Sequence, residues 1–341
     1  MSRTTSLRWL LALIAALALS VAACAEDAAD EPEDDVDDVD DVEDVEDEDE
    51  DEDDEDVAVD DDIVVGMSIS TLANPFFVTL ADGAEDAAAA SGVTVIVSDA
   101  QDDAQTEADN LQDFVTQEVD VIVINPVDSD AAVAAVENAN AAGIPVVTVD
   151  RGVEGGEVVT HIASDNVLGG QLAGEFLFSE LGDEGEVAQL EGVPGTSAAR
   201  DRGEGFELAL DDADAIELAT SVTANFSRDE GFSVAQDVLQ ANPDVAGMFA
   251  QNDEMALGAV EAAEAAGVLE DLVIVGFDAT DDALVAIDEG RMAGTIAQLP
   301  FLMGQLGVES AAAVAAGEDV EAEIPVEVEL VTADNVGEFL D

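Results

Sequence analysis

The sequence predicts an α/β protein of two lobes, each a parallel β-sheet covered by helices. Three observations predict it. From residue 63 onward, apolar β-branched runs alternate with Ala-rich stretches of helical period. Most of those runs are continuously apolar rather than alternating, as expected of strands buried on both faces. The roughly 280 residues that follow an acidic N-terminal segment also exceed what one core comfortably holds, so two domains are expected.

The chain begins with an address. Arg3 and Arg8 precede an apolar run from Trp9 to Leu19, and Val21-Ala22-Ala23 supplies small residues for cleavage, so residues 1–23 read as a signal peptide. That run is too short for a comfortable membrane span. Cys24, the only cysteine, follows the small residues directly, as in a bacterial lipoprotein signal. Lipid on its sulfur would hold the protein on the outer face of the cell membrane without crossing it. A lone cysteine excludes an intramolecular disulfide.

Residues 24–62 then form an acidic segment with Val interspersed. Between Ala25 and Asp62 fall 27 of the 83 acidic residues, leaving 56 for the rest of the chain. Like charges at that density repel and bring little apolar surface, so a disordered, extended tether is expected. The acidity continues beyond it. Five arginines (Arg151, Arg200, Arg202, Arg228 and Arg291) face those acids, there is no lysine, and the net charge is −76. Such a surface repels itself until salt shortens the Debye length to about 3 Å near 1 M, which points to a saline exterior. It also argues against nucleic acid as a partner, because phosphate recognition needs basic patches.

Strands are expected at Ile63–Ser70, Val93–Ser98, Val121–Asn125, Ile144–Asp150 and Val158–Ala163. A second set follows at Val187–Glu191, Ile216–Thr223, Val245–Ala250, Leu272–Phe277 and Met292–Ala297. Helices lie between them. One follows Asn74-Pro75 and stops at Gly92, one runs from about Asp130 to Gly143, and one runs from about Asp253 to Gly267. This alternation is the mark of parallel sheets built from crossover units. The first passage between lobes is expected near Ser164-Asp165, where five such units are complete.

In open parallel sheets, ligands bind beyond the carboxyl ends of the strands. The residues found there are Asn74, Asp150-Arg151, Asn252-Asp253, Asp278 and Gln298, with Phe76, Phe77 and Phe226 close by. Amides, carboxylates and arginines beside aromatic faces suit a small sugar, whose hydroxyls donate to Asp and accept from Arg or Asn. Each residue also has a plainer reading. The two adjacent phenylalanines can be core, Asp150 can cap a helix or pair with Arg151, Asp278 can cap a helix near Asp281, and Asn252-Asp253 can be an N-cap. An enzyme finds little support. No cysteine nucleophile lies in the fold, the single His161 sits in an apolar strand, and no Gly-x-Gly-x-x-Gly or P-loop follows a strand. Metal clusters of His and Cys are absent by count, and no cofactor is expected.

Several longer stretches carry a recognisable pattern. They are Ser70-Thr71-Leu72 with Asn74 to Phe77, Ile124-Asn125-Pro126 with Asp128 to Asp130, and His161 to Gly170. To these add Gly195 to Arg200, Arg202 to Phe206, Phe249 to Gly258 and Thr295 to Pro300. On these residues the chain from about Asp62 to Thr332 resembles the pentose/hexose-binding, type I periplasmic-binding-protein family of bacterial ABC sugar importers. The resemblance implies two Rossmann-like, doubly wound lobes joined by a hinge of three crossings. These would fall at Ser164-Asp165, Gln298-Leu299 and Glu327-Val328, with residues 63–164 and 299–326 in the first lobe and 165–298 and 327–341 in the second. It implies a pocket of Asn74, Phe76, Phe77, Asp150, Arg151, Arg202, Phe226, Asn252, Asp278 and Gln298, with ribose as the first ligand to consider. It further implies an ABC permease and its ATPase as partners, and a monomer. Another monosaccharide such as allose or a different pentose, or a sensory role feeding a receptor, stands as the alternative. A sugar-responsive repressor would need a basic helix-turn-helix start, which this chain does not have. Its lysine-free surface and its tether depart from the family, so permease contacts do not carry over.

Overall fold

Two runs of alternating strand and helix follow one another along the chain. In the computed structural model, which describes residues 63–340, the first run is β1 (Val64–Ile69), α1 (Pro75–Ser91), β2 (Thr94–Asp99), α2 (Ala104–Gln117), β3 (Val121–Asn125), α3 (Val133–Ala141), β4 (Val146–Val149) and β5 (Thr160–Ser164). The second begins with α4 (Asn166–Glu180), β6 (Gly185–Glu191), α5 (Ser197–Asp211), β7 (Ile216–Thr223) and α6 (Arg228–Ala241). It continues through β8 (Val245–Ala250), α7 (Asp253–Ala266), β9 (Val273–Asp278), α8 (Asp281–Asp288) and β10 (Gly294–Ala297). A closing segment adds α9 (Pro300–Ala315), β11 (Glu323–Val326) and β12 (Glu329–Thr332). The signal peptide, Cys24 and acidic tether expected at residues 1–62 lie outside the described residues.

The strands form two six-stranded sheets, ordered β11-β5-β4-β3-β1-β2 and β12-β10-β9-β8-β6-β7. All neighbours are parallel except β10 and β12. Each sheet with its helices is one α/β lobe. In both, the order reverses beside one strand: β1 lies between β2 and β3, and β6 between β7 and β8. Such reversals open a crevice at the carboxyl edge. The chain passes between the sheets after β5, after β10 and after β11, so α9 and β11 return to the first sheet while β12 ends on the second.

Local chemistry sets the element ends. Asn74 accepts from the Phe76 N–H at 2.9 Å, Pro75 opens α1, and Gly92 closes it at φ 74°. Asn252 accepts from the Met255 N–H at 2.9 Å to begin α7, which Gly267 closes at φ 72°. Three departures from the sequence expectations have physical causes. The helix expected from Asp130 starts only at Val133, because the Asp128 carboxylate accepts from the backbones of Asp130 and Ala131 and holds a turn there. β11 carries Pro325 and exposed Glu323, and pairs with β5 alone, so its sequence lacks the apolar run of a buried strand. β12 is a short sheet edge that also escapes an apolar-run search.

The first core gathers around β1, β3 and β4 between α1 and α9. Those two helices approach so closely that a Cβ on Gly83 would run into the backbone of Phe301, and one on Gly304 into that of Leu80. This contact fastens the returning segment to the first lobe. Gly304→Val is expected to destabilise the folded chain by about 2–3 kcal/mol through overpacking against Leu80. Chemical denaturation followed by circular dichroism checks this, and an unchanged midpoint would contradict the packing described.

Candidate functional site

The strand ends of the two lobes face each other and bring the polar residues together. Asn74, Phe76 and Phe77 stand at the start of α1, and Asp150-Arg151 directly after β4. From the other lobe come Arg202 on α5, Phe226 in the β7–α6 turn, Asn252 at the start of α7 and Asp278 at the end of β9. These nine, with Ala198, line one small buried cavity. Gln298, the tenth residue expected there, is outside that lining. It stands behind Asp278, donating from Nε2 to Asp278 Oδ1 at 2.7 Å, and borders a neighbouring cleft with Phe76.

Four charges dominate the cavity. Asp150, Arg151, Arg202 and Asp278 are respectively 3, 4, 3 and 5 % exposed. Arg151 Nε lies 3.7 Å from Asp150 Oδ2, and Arg202 Nη1 lies 3.7 Å from Asp278 Oδ1. Removing both guanidinia from water lowers their pKa values, a shift that Asp150 and Asp278 respectively oppose. Burial pushes the Asp278 carboxyl well above its ordinary value, with Arg202 pulling the other way. The arginines remain charged throughout, as guanidinium does in proteins.

Fixed acceptors aim the guanidinia. Arg151 Nη1 donates to the Pro126 carbonyl at 3.2 Å, while Arg202 donates from Nε to Asn166 Oδ1 at 2.8 Å and from Nη1 to the Gln251 carbonyl at 2.7 Å. Aromatic faces flank them. Arg151 lies 5.0 Å from the Phe77 centroid and 5.3 Å from that of Phe226, and Arg202 lies 3.8 Å above Phe277. Three cavity residues hold a backbone conformation that side chains other than glycine rarely adopt: Asp150 (φ 61°), Phe226 (φ 58°) and Asp278 (φ 125°). Such strain clusters where a side chain must point somewhere particular. Gly192 leaves room for the Phe226 ring, since a Cβ there would overlap it.

The plainer readings divide. Asn252 does cap α7, yet its Nδ2 also donates to the Phe226 carbonyl at 3.2 Å, tying two cavity residues together. Asp278 caps nothing, since α8 starts after Thr280 without a side-chain cap. His161 lies on β5, its Nδ1 2.8 Å from Thr148 Oγ1, away from the cavity lining, and burial lowers its pKa.

Sequence reasoning missed the supporting shell. Asn125, buried at the end of β3, donates from Nδ2 to Asp150 Oδ2 at 3.0 Å and accepts from Ser70 Oγ at 2.7 Å. Its signal was available: an amide closing the run Val121-Ile122-Val123-Ile124. On the other lobe Asn166 Oδ1 and the backbone carbonyl of Gln251 accept from Arg202. Beside the cavity, the lobes touch directly. The Ser129 N–H donates to the Gly195 carbonyl at 3.0 Å, the Ser197 N–H to Ser129 Oγ at 3.1 Å, and the Gly152 N–H to Ser197 Oγ at 2.9 Å. Glu154 pairs with Arg200 there. Among the described residues no cluster of metal-ligating side chains occurs, and no helix is long and apolar enough to cross a membrane.

Two lobes meeting over a buried, charged and aromatic cavity define a binding protein for a small polar molecule. A model of the periplasmic binding protein domain matches residues 65–319, and the chain belongs to that family. It is 48% identical over 268 residues to the ribose import binding protein of Haemophilus influenzae, covering 79% of this chain and 91% of that one. To the ribose import binding protein of Bacillus subtilis it is 44% identical over 271 residues, covering 80% and 88%. Among solved structures, an ABC transporter solute binding protein from Bacillus halodurans with bound myo-inositol superposes with a TM-score of 0.78 at 35% identity, covering 82% of this chain and 98% of that one. One from Actinobacillus succinogenes with bound D-allose gives a TM-score of 0.76 at 28% identity, covering 81% and 99%.

Asn125→Ala would leave the buried Ser70 donors without their acceptor and Asp150 without one donor. It is expected to cost about 1–3 kcal/mol of stability, read from urea denaturation in salt; a loss too small to measure would remove Asn125 from the support of Asp150.

Proposed function

We propose that this chain is the substrate-binding component of an ABC importer that captures a monosaccharide, D-ribose first among them. The observation that carries the reading is the convergence of Arg151, Arg202, Asp150, Asp278, Asn74 and Asn252 with Phe76, Phe77 and Phe226 on one buried cavity. A sugar offers what such a lining needs, hydroxyls that both donate and accept and C–H faces that pack on aromatic rings. Gln298 Oε1, buried without a partner among the described residues, adds a free acceptor next to Asp278. The relatives described as ribose import binding proteins support ribose over other sugars, and the D-allose and myo-inositol complexes of more distant ones name the competitors.

Binding proceeds by closure. We assign residues 63–164 and 299–326 to one lobe and 165–298 and 327–341 to the other, with Ser164, Asp165, Gln298, Leu299, Glu327 and Val328 as the hinge. A ligand touched from both sides favours the closed arrangement over the open one by its differential contacts, which suffices to drive the change. No enzymatic step is needed. The expected lipid on Cys24 would tether the protein at the membrane, where a permease and its ATPase would receive the sugar, and the protein would act as a monomer.

Calorimetry is the suitable assay, since residues 24–341 contain neither Trp nor Tyr. Titration of ribose, allose and myo-inositol in high salt is expected to give ribose the tightest binding; no heat with ribose would overturn that choice. Arg151→Ala and Arg202→Ala are each expected to weaken binding by about 2–5 kcal/mol, because each leaves a desolvated partner charge behind. Equal affinity in either variant would remove that residue from the site. Thermal unfolding is expected to shift upward from dilute buffer to molar NaCl as the acidic surface is screened; a constant midpoint would contradict the saline adaptation.

A further inference from the structure

Glu107 lies on α2, outside the cavity lining, yet is only 1 % exposed. Its Oε2 accepts from the Val127 N–H at 2.7 Å. Val127 belongs to the β3–α3 turn, and that turn does two other things. The carbonyl of Pro126 takes a hydrogen bond from Arg151 Nη1 at 3.2 Å. Two residues on, Ser129 meets the opposite lobe through Gly195 and Ser197, at the N-terminus of α5, which carries Arg202. One short turn therefore touches a cavity arginine, a buried carboxyl and the helix bearing the other arginine.

We propose that Glu107 is a positioning residue for sugar binding, holding the 126–129 turn so that Arg151 is aimed into the cavity and the two lobes engage when they close. The proposal deepens the sugar-binding reading and rests on it. Glu107 supplies an acceptor for Val127 and a negative charge behind Arg151, with Asp128 the opposing acid nearby. Closure excludes water from Arg151 and makes that charge count for more, because opposite charges attract more strongly as the dielectric falls. The ligand-bound form therefore favours ionised Glu107.

The titration of this group makes the role measurable. Burial raises the Glu107 carboxyl from 4.5 to about 7, with the Val127 N–H and Arg151 lowering it. Two signs follow, and they are opposite. The folded chain holds the Glu107 proton more tightly than the unfolded chain, so the stability this group contributes is full below 4.5 and lost as pH rises to about 7. Sugar affinity moves the other way, rising as the carboxyl ionises. A merely structural carboxyl would show the first and not the second.

The experiment is calorimetric titration of ribose into the full folded chain at about pH 6 and about pH 8, in high salt, for the wild type and Glu107→Gln. Gln retains the acceptor and the shape but not the charge, so it mimics the protonated state. The wild type is expected to bind about fivefold more weakly at the lower pH, from exchanging a charge-assisted contact for a neutral one. Glu107→Gln is expected to bind at both pH values about as weakly as the wild type does at the lower. Any slope left in the variant belongs to Asp278 in the cavity itself, whose carboxyl burial pushes well above its ordinary value, to Asp102 facing Arg151, also raised by burial, to Asp253, whose buried carboxyl is raised to about 7, or to His161. Glu107→Asp, which keeps the charge but falls one methylene short of Val127, serves as the second variant and is expected to lose affinity at both pH values. Wild-type affinity and slope in Glu107→Gln would overturn the positioning role. Absence of ribose binding by the wild type would instead overturn the choice of sugar, and the same comparison is then run with the tightest binder of the panel.

Discussion

The structure turns on two guanidinium groups and two carboxylates held out of water where the lobes meet. Each such charge alone would cost several kcal/mol to bury. Together, with Asn125 and Gln298 donating to the aspartates and the carbonyls of Pro126 and Gln251 accepting from the arginines, they are tolerated. The surrounding features follow. The positive φ angles of Asp150, Phe226 and Asp278 aim side chains that an unstrained strand end would point elsewhere. Gly192 gives way to the Phe226 ring for the same reason. Because Asp150 and Arg151 belong to one lobe and Arg202 and Asp278 to the other, the full set exists only when the lobes are together.

The same scarcity of cations shapes the exterior. Of the five arginines among the described residues, Arg151 and Arg202 lie in the cavity. The remaining three pair with acids: Arg200 with Glu154, Arg228 with Glu254 and Asp282, and Arg291 with Glu289. Among the described residues no arginine is left to relieve the acidic excess elsewhere on the surface. Exposed pairs of this kind contribute little stability, so the repulsion is left to dissolved salt. One of them, Arg200 with Glu154, joins the lobes beside the cavity.

Much of this was legible in the sequence, and unevenly. β3, β7 and β8 match their expected bounds residue for residue; β3 and β8 are buried apolar runs, whereas β7 is a half-exposed edge strand. α1 and α7 were equally plain, each having an Asn cap and a terminal glycine. α2 was not among the expected helices, because it ends on Glu118 at φ 56° where a glycine would have announced the stop. β11 and β12 are short sheet edges whose pairing is decided by the tertiary fold. For the site, residue types at strand ends brought Asn74, Phe76, Phe77, Asp150, Arg151, Phe226, Asn252 and Asp278 to one cavity, while Arg202, within α5, came only from the family resemblance. Periodicity says nothing about Asn125, Asn166, Gln251 and Glu107, whose roles are hydrogen bonds to other residues and appear only when distant turns are brought together.

The charge balance also bears on what the cavity accepts. Two arginines and two aspartates carry formal charges that sum to zero, and each cation has its acid within 3.7 Å. A neutral polyol leaves that balance intact and exchanges its hydration for hydrogen bonds of both senses. An anion of similar size would bring a charge for which the cavity holds no further cation, at a desolvation penalty that the existing pairs do not relieve. Burial among these groups pushes the carboxyl of Asp278 upward, and Arg202 and Gln298 both act to keep it ionised. The pairing already present in the protein thus suits an uncharged polyol better than an anion.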